Sequence, residues 1–411
     1  MPLLTEGSLA ASRNLTARLL DRIRAMPGTT RAELAAHTGV SRSNIADRVA
    51  ELVELGLVVE AGTGRSTGGR APVQLALNAG AAAVVAVDLG TSGFEVALTD
   101  LGANVFAHRA VKWQIEKGPE ATLRRVEREI DRILQDNTKR PIAGVGVGFP
   151  GPVRFPAGRP TSAPGMPEWD DYPIGDRLAG RYGVETWVDN EANLMALGEL
   201  RRGAARKTED LVFVKLGSGI GAGIVQGGEV RRGHLGGAGD IAHVPVGARS
   251  AFPCWCGKAS CLVTVAGGIA LGHSAKALAQ NGESPILRQR LGGRTPLAED
   301  LLAAALAGDR ASVEVLELAA EQLGRTLAIV VNLLNPGLVL LGGRVMGAAD
   351  FILPVVRRTV YASSTPLATR EIRIERSDPL GHFGIVGAAC TAIDALLGPD
   401  RLGTWSAVAP R

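Results

Sequence analysis

AAAVVAVDLG, residues 81–90, is an unbroken apolar run that ends in an aspartate and a glycine. A strand covered on both faces reads this way, because neither face needs polar residues for water. A second strand, FEVALTDL (94–101), follows after a short turn. Further along, IAGVGVGFP (142–150), DLVFVKLG (210–217) and GLVLLGG (337–343) repeat the pattern, with helical stretches at 120–135, 190–202 and 311–334 between them. Strands alternating with helices predict an α/β fold. The roughly 330 residues beyond position 80 suffice for two lobes with a cleft between them.

The whole chain has 411 residues, too many for one ordinary domain. Hydrophobic residues make up 46% and charged ones 21%, which excludes wholesale disorder. No apolar run reaches the roughly 20 residues that span a bilayer. The longest candidate, Ala328 to Leu341, is broken by Asn335-Pro336-Gly337. MPLLTEGSLAAS at the start lacks a basic stretch followed by an apolar run, so a cytoplasmic protein with no membrane partner is expected. No short-period repeat is visible. Net charge is +4, and residues 1–80 hold nine Arg, no Lys and seven acids. That balance does not announce nucleic acid, so any case for DNA must come from placement.

Placement supplies it. Leu15, Leu19, Ile23 and Met26 recur on one helical face, and Pro27-Gly28 ends the run. Thr30 with Glu33 is a capping-box start for a short second helix. His37-Thr38-Gly39-Val40 then gives a tight turn, and Ser41 is placed to N-cap a third helix. Ile45, Val49, Leu52 and Val53 form the buried stripe of that helix. This is the helix-turn-helix plan. Its outward face carries Ser41, Arg42, Ser43, Asn44, Asp47 and Arg48, the residue types that meet base edges and phosphates. LVVE and VQLAL read as two strands around GTGRSTGGRAP, a wing whose Arg65 and Arg70 are placed to reach phosphate or the minor groove.

Four glycine-rich turns follow strands: DLGTSG (88–93), GVGFPGPV (146–153), LGSGIGAG (216–223) and LLGGRV (340–345). Glycine lets backbone N–H groups approach phosphate, and a neighbouring Asp can hold Mg²⁺. His243, Cys254, Cys256 and Cys261 run as His-x10-Cys-x-Cys-x4-Cys, a donor set for a closed tetrahedral structural Zn²⁺. Cys390, in GIVGAAC, reads as a core thiol. Trp113, Trp169, Trp187 and Trp255 read as core, and Arg231-Arg232 as a surface turn. His37, His108 and His234 have no evident partner.

GHLGGAGDIAHVPVG (233–247) followed by CWCGKASC (254–261) resembles the signature of the ROK family of repressors, open reading frames and kinases. The likeness covers nearly the whole chain. The helix-turn-helix resembles the N-terminal extension of the family's repressors. DLGTSG, LGSGIGAG and NPGLVLLGG resemble its phosphate and adenosine loops, here carrying Asp88, Gly90, Gly217, Gly219, Gly342 and Gly343. The resemblance implies a winged helix-turn-helix (1–78) and an actin-like, RNase H-like domain of two lobes. Residues 79–190 would form the first lobe, 383–411 would return to it, and 191–382 would form the second with the zinc motif.

The resemblance also locates the sugar site. The kinases' catalytic base is an Asp; here Glu191 stands in its place, within Asp189-Asn190-Glu191-Ala192-Asn193. Gly165 replaces a sugar-contacting Asn, Asp240 a Glu, and Val263 a Glu beyond the last cysteine. Only His243 survives of the usual sugar contacts. The expectation is therefore a regulator without enzymatic activity. It binds operator DNA as a homodimer or homotetramer and takes a small carbohydrate-type effector near Gly165, Asn190, Glu191, Asp240 and His243. Zn²⁺ is expected; ATP and Mg²⁺ are not. The alternative is an active sugar kinase with an accessory DNA-binding domain.

Overall fold

A computed structural model describes residues 6–63, 71–137, 140–161, 165–247 and 252–407. The fold is mixed α/β, a winged helix followed by two sheet-centred lobes. The winged helix comprises α1 (Glu6–Ala25), β1 (Thr29–Thr30), α2 (Arg31–Thr38), α3 (Arg42–Glu54), β2 (Val58–Thr63) and β3 (Val73–Leu77). Both halves of the Thr30–Glu33 capping box form, and Ser41 Oγ accepts from the Asn44 backbone N–H at 3.4 Å. Leu19, Leu20, Ile23, Leu34, Ile45, Val49 and Leu52 are fully buried.

Three residues of the expected stripes are not, and of these Leu15 is half-buried. Met26 is 47% exposed because α1 stops at Ala25, and Val53 is 40% exposed because it sits one helical step, about 100°, beyond Leu52. A strand absent from the sequence reading, β1, pairs antiparallel with β3 and completes a three-stranded sheet in the order β1-β3-β2.

The first lobe runs β4 (Ala83–Gly90), β5 (Gly93–Asp100), β6 (Val105–Lys112), α4 (Pro119–Asn137), β7 (Ile142–Phe149), the hairpin β8 (Val153–Arg154) and β9 (Arg159–Pro160), α5 (Ile174–Tyr182), β10 (Thr186–Asn190) and α6 (Glu191–Arg202). The second begins with β11 (Leu211–Leu216), β12 (Ile220–Gln226) and β13 (Glu229–Val230). Four helices follow: α7 (Val263–Ala266), α8 (Gly268–Asn281), α9 (Pro285–Leu291) and α10 (Ala298–Leu306). It closes with α11 (Arg310–Leu334), β14 (Leu338–Gly342), α12 (Ala349–Ser363), α13 (Pro366–Thr369) and β15 (Arg373–Arg376), and α14 (Phe383–Leu396) ends the core.

The sheets are ordered β6-β5-β4-β7-β10 and β13-β12-β11-β14-β15. Each is an antiparallel meander of three strands extended by two parallel strands. The lobes thus repeat one topology, with β4 and β11 as equivalent central strands. α14 leaves the second lobe and packs on β4, β7 and α6 of the first. It lies against α6 almost backbone to backbone. A Cβ on Gly387 would fall 1.8 Å from Leu194 O, and one on Gly198 2.1 Å from Phe383 O.

The chain's end ties the winged helix to this lobe. Trp405 and Leu402 are buried in a core shared with Leu52, Leu57 and α14 residues such as Ile393. Trp405 Nε1 donates to Leu55 O at 3.1 Å, and Arg24 Nη2 lies 2.8 Å from Asp394 Oδ1. Among the described residues no helix is long and apolar enough to cross a membrane.

Candidate functional site

α3 presents its first turn outward. Ser41, Arg42, Ser43 and Asn44 are exposed, whereas Arg48 is half-buried with Nη1 2.8 Å from Glu51 Oε2. Thr16 Oγ1 donates to the same oxygen at 3.2 Å, so Glu51 fixes Arg48 against α1. Arg65 and Arg70 lie outside the described residues.

The cysteine loop is zipped to the His243 turn by antiparallel bonds: Val246 N donates to Ser260 O and Leu262 N to Val244 O, both at 2.9 Å. This brings His243, Cys254, Cys256 and Cys261 together, with all donor atoms within 4.8 Å of one another. His243 Nδ1 is 3.3 Å from Cys254 Sγ, and the sulfurs of Cys256 and Cys261 are 3.6 Å apart. Tetrahedral thiolates about 2.3 Å from a Zn²⁺ stand about 3.8 Å from each other, so the spacing suits such an ion. Burial pushes the Cys261 thiol up to about 12 and raises Cys254 as well. A dication is what would let thiolates share so small a space. The Cys3His cluster could hold a metal.

The same loop reaches the cleft. Trp255 is 58% exposed rather than core, because it projects from the knuckle over Gly165; a Cβ there would lie 3.4 Å from the indole. Trp169 and Trp187 are buried, and Trp113 is half-buried. Asn190 N-caps α6, its Oδ1 accepting from Ala192 and Asn193, while its Nδ2 donates to Gly151 O at 2.8 Å. Asp240, exposed, precedes the single turn that carries His243.

Two ion pairs cross from the second lobe to the first lobe's β10–α6 corner. Glu191 binds Lys215 of β11. Arg232 is no surface turn: its Nε donates at 2.7 Å to Asp189, which is 1% exposed, and its guanidinium stacks 4.0 Å over the Phe155 ring. Asp189 also accepts from Asn193 Nδ2 at 3.0 Å. A buried carboxylate demands this much pairing.

Asp88 Oδ1 is inaccessible and has no hydrogen-bond partner. Burial pushes the Asp88 carboxyl well above the ordinary aspartate range, while Lys215 pulls it back. Among the glycines of the candidate nucleotide loops, Gly343 is held by packing, since a Cβ there would be 2.4 Å from Leu216 O. Beside Gly217 and Ser218 a cavity of about 390 Å³ is lined by the cations Lys276, Arg294 and Arg344 together with Glu299. Sequence reasoning missed Lys215 and Arg232. Setting VDLGTSG beside VKLGSG would have singled out Lys215, which stands where Asp88 stands in the other lobe.

Residues 84–395 match the ROK family. The chain belongs to the ROK family. Residues 12–66 match the MarR family, in keeping with a MarR-type winged helix ahead of the ROK domain. This ROK protein is 27% identical to the xylose repressor of Caldicellulosiruptor bescii, over 90% of this chain and 92% of the repressor. The structure of a ROK family transcriptional regulator, a homolog of the E. coli MLC protein, superposes with a TM-score of 0.83 at 25% identity, covering 97% of this chain and 99% of that one. A ROK family glucokinase from Streptomyces griseus, solved with glucose and AMPPNP, gives 0.66 at 25% identity over 75% of this chain and 98% of its own.

Proposed function

We propose that this ROK protein is a cytoplasmic DNA-binding transcriptional regulator, acting as a repressor, whose lobes close around a small carbohydrate-type effector. The observation that carries the reading is the winged helix docked through Trp405 onto α14, with the first turn of α3 exposed. Relatives matched over nine-tenths or more of the chain are repressors and regulators, which supports it. Residues 1–78 would read DNA through Ser41, Arg42, Ser43, Asn44 and Arg48, with Arg65 and Arg70 in the wing. One recognition helix reads few base pairs, so a homodimer or homotetramer would span paired half-sites. The effector would sit between the two lobes, against Gly165, Asn190, Glu191, Asp240 and His243.

Glu191 argues against enzymatic activity. A general base must offer a lone pair to the hydroxyl proton. In this protein one carboxylate oxygen, Oε2, is taken up by the Lys215 ammonium, which draws the group toward β11. Zn²⁺ on His243, Cys254, Cys256 and Cys261 would supply a structural crosslink and no chemistry, bracing the loop that aims Trp255 at Gly165.

The test is sequencing of genomic fragments retained by the purified protein at moderate salt, with and without a panel of sugars. A palindromic site upstream of transport or catabolic genes is the expected result. No enriched site under any of these conditions, with the protein folded, would overturn the reading. The cavity beside Gly217 favours a second one, an ATP-dependent sugar kinase with an accessory DNA-binding domain. Sugar-dependent ADP release abolished by Glu191→Ala would establish that alternative.

A further inference from the structure

Apart from the cysteine loop's donor set, three other metal-ligating side chains converge. Glu95 Oε2 lies 2.8 Å from His108 Nε2 and 3.2 Å from His382 Nδ1, and all three donor atoms fall within 4.8 Å of one another. The two imidazole rings stand 4.6 Å apart, tilted by 52°. We propose that Glu95, His108 and His382 form a second metal site, for a divalent first-row transition cation such as Zn²⁺, which clips the connector between the lobes to the first lobe's sheet.

Three elements build the site. Glu95 is in β5 and His108 in the edge strand β6, where His108 pairs with Ala97; Glu95 and His108 are therefore diagonal neighbours on one face of the sheet. His382 is the residue before α14 and is held at φ 44°, ψ 40°, a left-handed conformation that residues with a Cβ adopt sparingly. That backbone turns its ring onto the same carboxylate oxygen.

Chemistry favours a cation over a plain hydrogen-bonded cluster. One oxygen faces two imidazoles, and a metal about 2.0–2.2 Å from each donor would satisfy all three at separations near 3 Å. Two imidazoles and a carboxylate suit zinc and its neighbours in the first transition row. His108 and His382 are exposed, which leaves room for water to complete the coordination.

The location gives the site its consequence. Residues 377–382 connect β15 of the second lobe to α14 on the first, and Ser377 Oγ donates to the buried Glu199 of α6. A cation on His382 would hold the end of that connector to β5 and β6, restraining the segment through which the lobes move relative to each other.

The experiment adds Co²⁺ or Zn²⁺ to full-length protein whose cysteine site is already zinc-loaded, and counts bound metal by equilibrium dialysis. Thiolate-to-cobalt absorption reports separately on the cysteines. The expected result is one further equivalent per chain without thiolate absorption, lost in His108→Ala/His382→Ala and weakened at least tenfold by Glu95→Gln. Matching melting curves in chelator would show that the variants are folded. Should the double variant not fold, Glu95→Gln alone decides. No further equivalent, or one bound as tightly by the folded variants, would overturn the site.

Discussion

Thr91 Oγ1 donates a hydrogen bond to Ser218 Oγ at 2.9 Å, and the two residues hold equivalent places in the two lobes. Each follows a Leu-Gly at the C-terminal end of a central strand, Leu89-Gly90 closing β4 and Leu216-Gly217 running just past β11. Arg344 Nη2 donates to the same Ser218 oxygen at 3.1 Å. The glycine turns that would cradle phosphate therefore touch each other. Three residues earlier the repeat places Asp88 in one lobe where Lys215 stands in the other, and the Lys215 charge acts on the buried Asp88 carboxyl.

Lys215→Met removes the cation on which Glu191 and Asp88 both depend. Leaving a buried charge without its partner costs about 3–5 kcal/mol; here both side chains keep some exposure, so about 2 kcal/mol is expected in urea denaturation. Lys215→Met/Glu191→Gln should recover part of the loss. Glu191→Asp alone should yield no sugar-dependent ADP release. Measurable turnover by the wild-type chain would refute the regulatory reading of Glu191.

Stripping the cysteine cluster of metal, or replacing Cys256 with Ser, should lower the melting temperature and change indole fluorescence. Trp255 sits between Cys254 and Cys256 and rests over Gly165, so loosening the knuckle releases it. Metal removal that leaves both readouts unchanged would refute a structural zinc.

Glu199 gives the stability a pH dependence of known sign. It is fully buried, and burial raises its carboxyl above the ordinary 4.5 despite hydrogen bonds from Ser377 and the Ala204 N–H. In the window between the ordinary value and the raised one, the folded chain keeps a proton that the unfolded chain has lost. Its contribution to stability therefore falls as pH rises through that window. Glu199→Gln should melt closer to the wild type below the window and higher above it. Calorimetry across this range checks the sign.

Arg42 and Arg48 should separate on DNA. Arg42 is exposed, while Arg48 must share its guanidinium with Glu51. Arg42→Ala should cost about 1–3 kcal/mol on the preferred sequence if it makes a bidentate base contact. Arg48→Ala should weaken all sequences more evenly. Fluorescence anisotropy on specific and scrambled duplexes distinguishes the two.

Where local chemistry sets geometry, the residues could be read directly. The Thr30–Glu33 box, the Ser41 cap and the His-Cys spacing each need only neighbours in sequence. The ion pairs of the cleft do not work that way. Lys215 and Glu191 are 24 positions apart, and Arg232 and Asp189 are 43. Their meeting depends on how two lobes sit together, which no local period encodes. His108 had no visible partner because Glu95 is diagonal to it across strands and His382 arrives from the far end of the chain. Trp255 was misjudged for a related reason: a bulky indole ordinarily seeks the core, but a knuckle of four metal-type donors leaves it facing the cleft.

Trp405 and Leu402 act as a tie-rod. They lash the winged helix to α14, and α14 in turn lies flush on α6, the helix that begins at Glu191. A pivot of α6 at the cleft would reach the winged helix through this packing. Successive half-sites on one face of DNA recur about every 34 Å, so the spacing of two such heads would decide whether both meet their grooves.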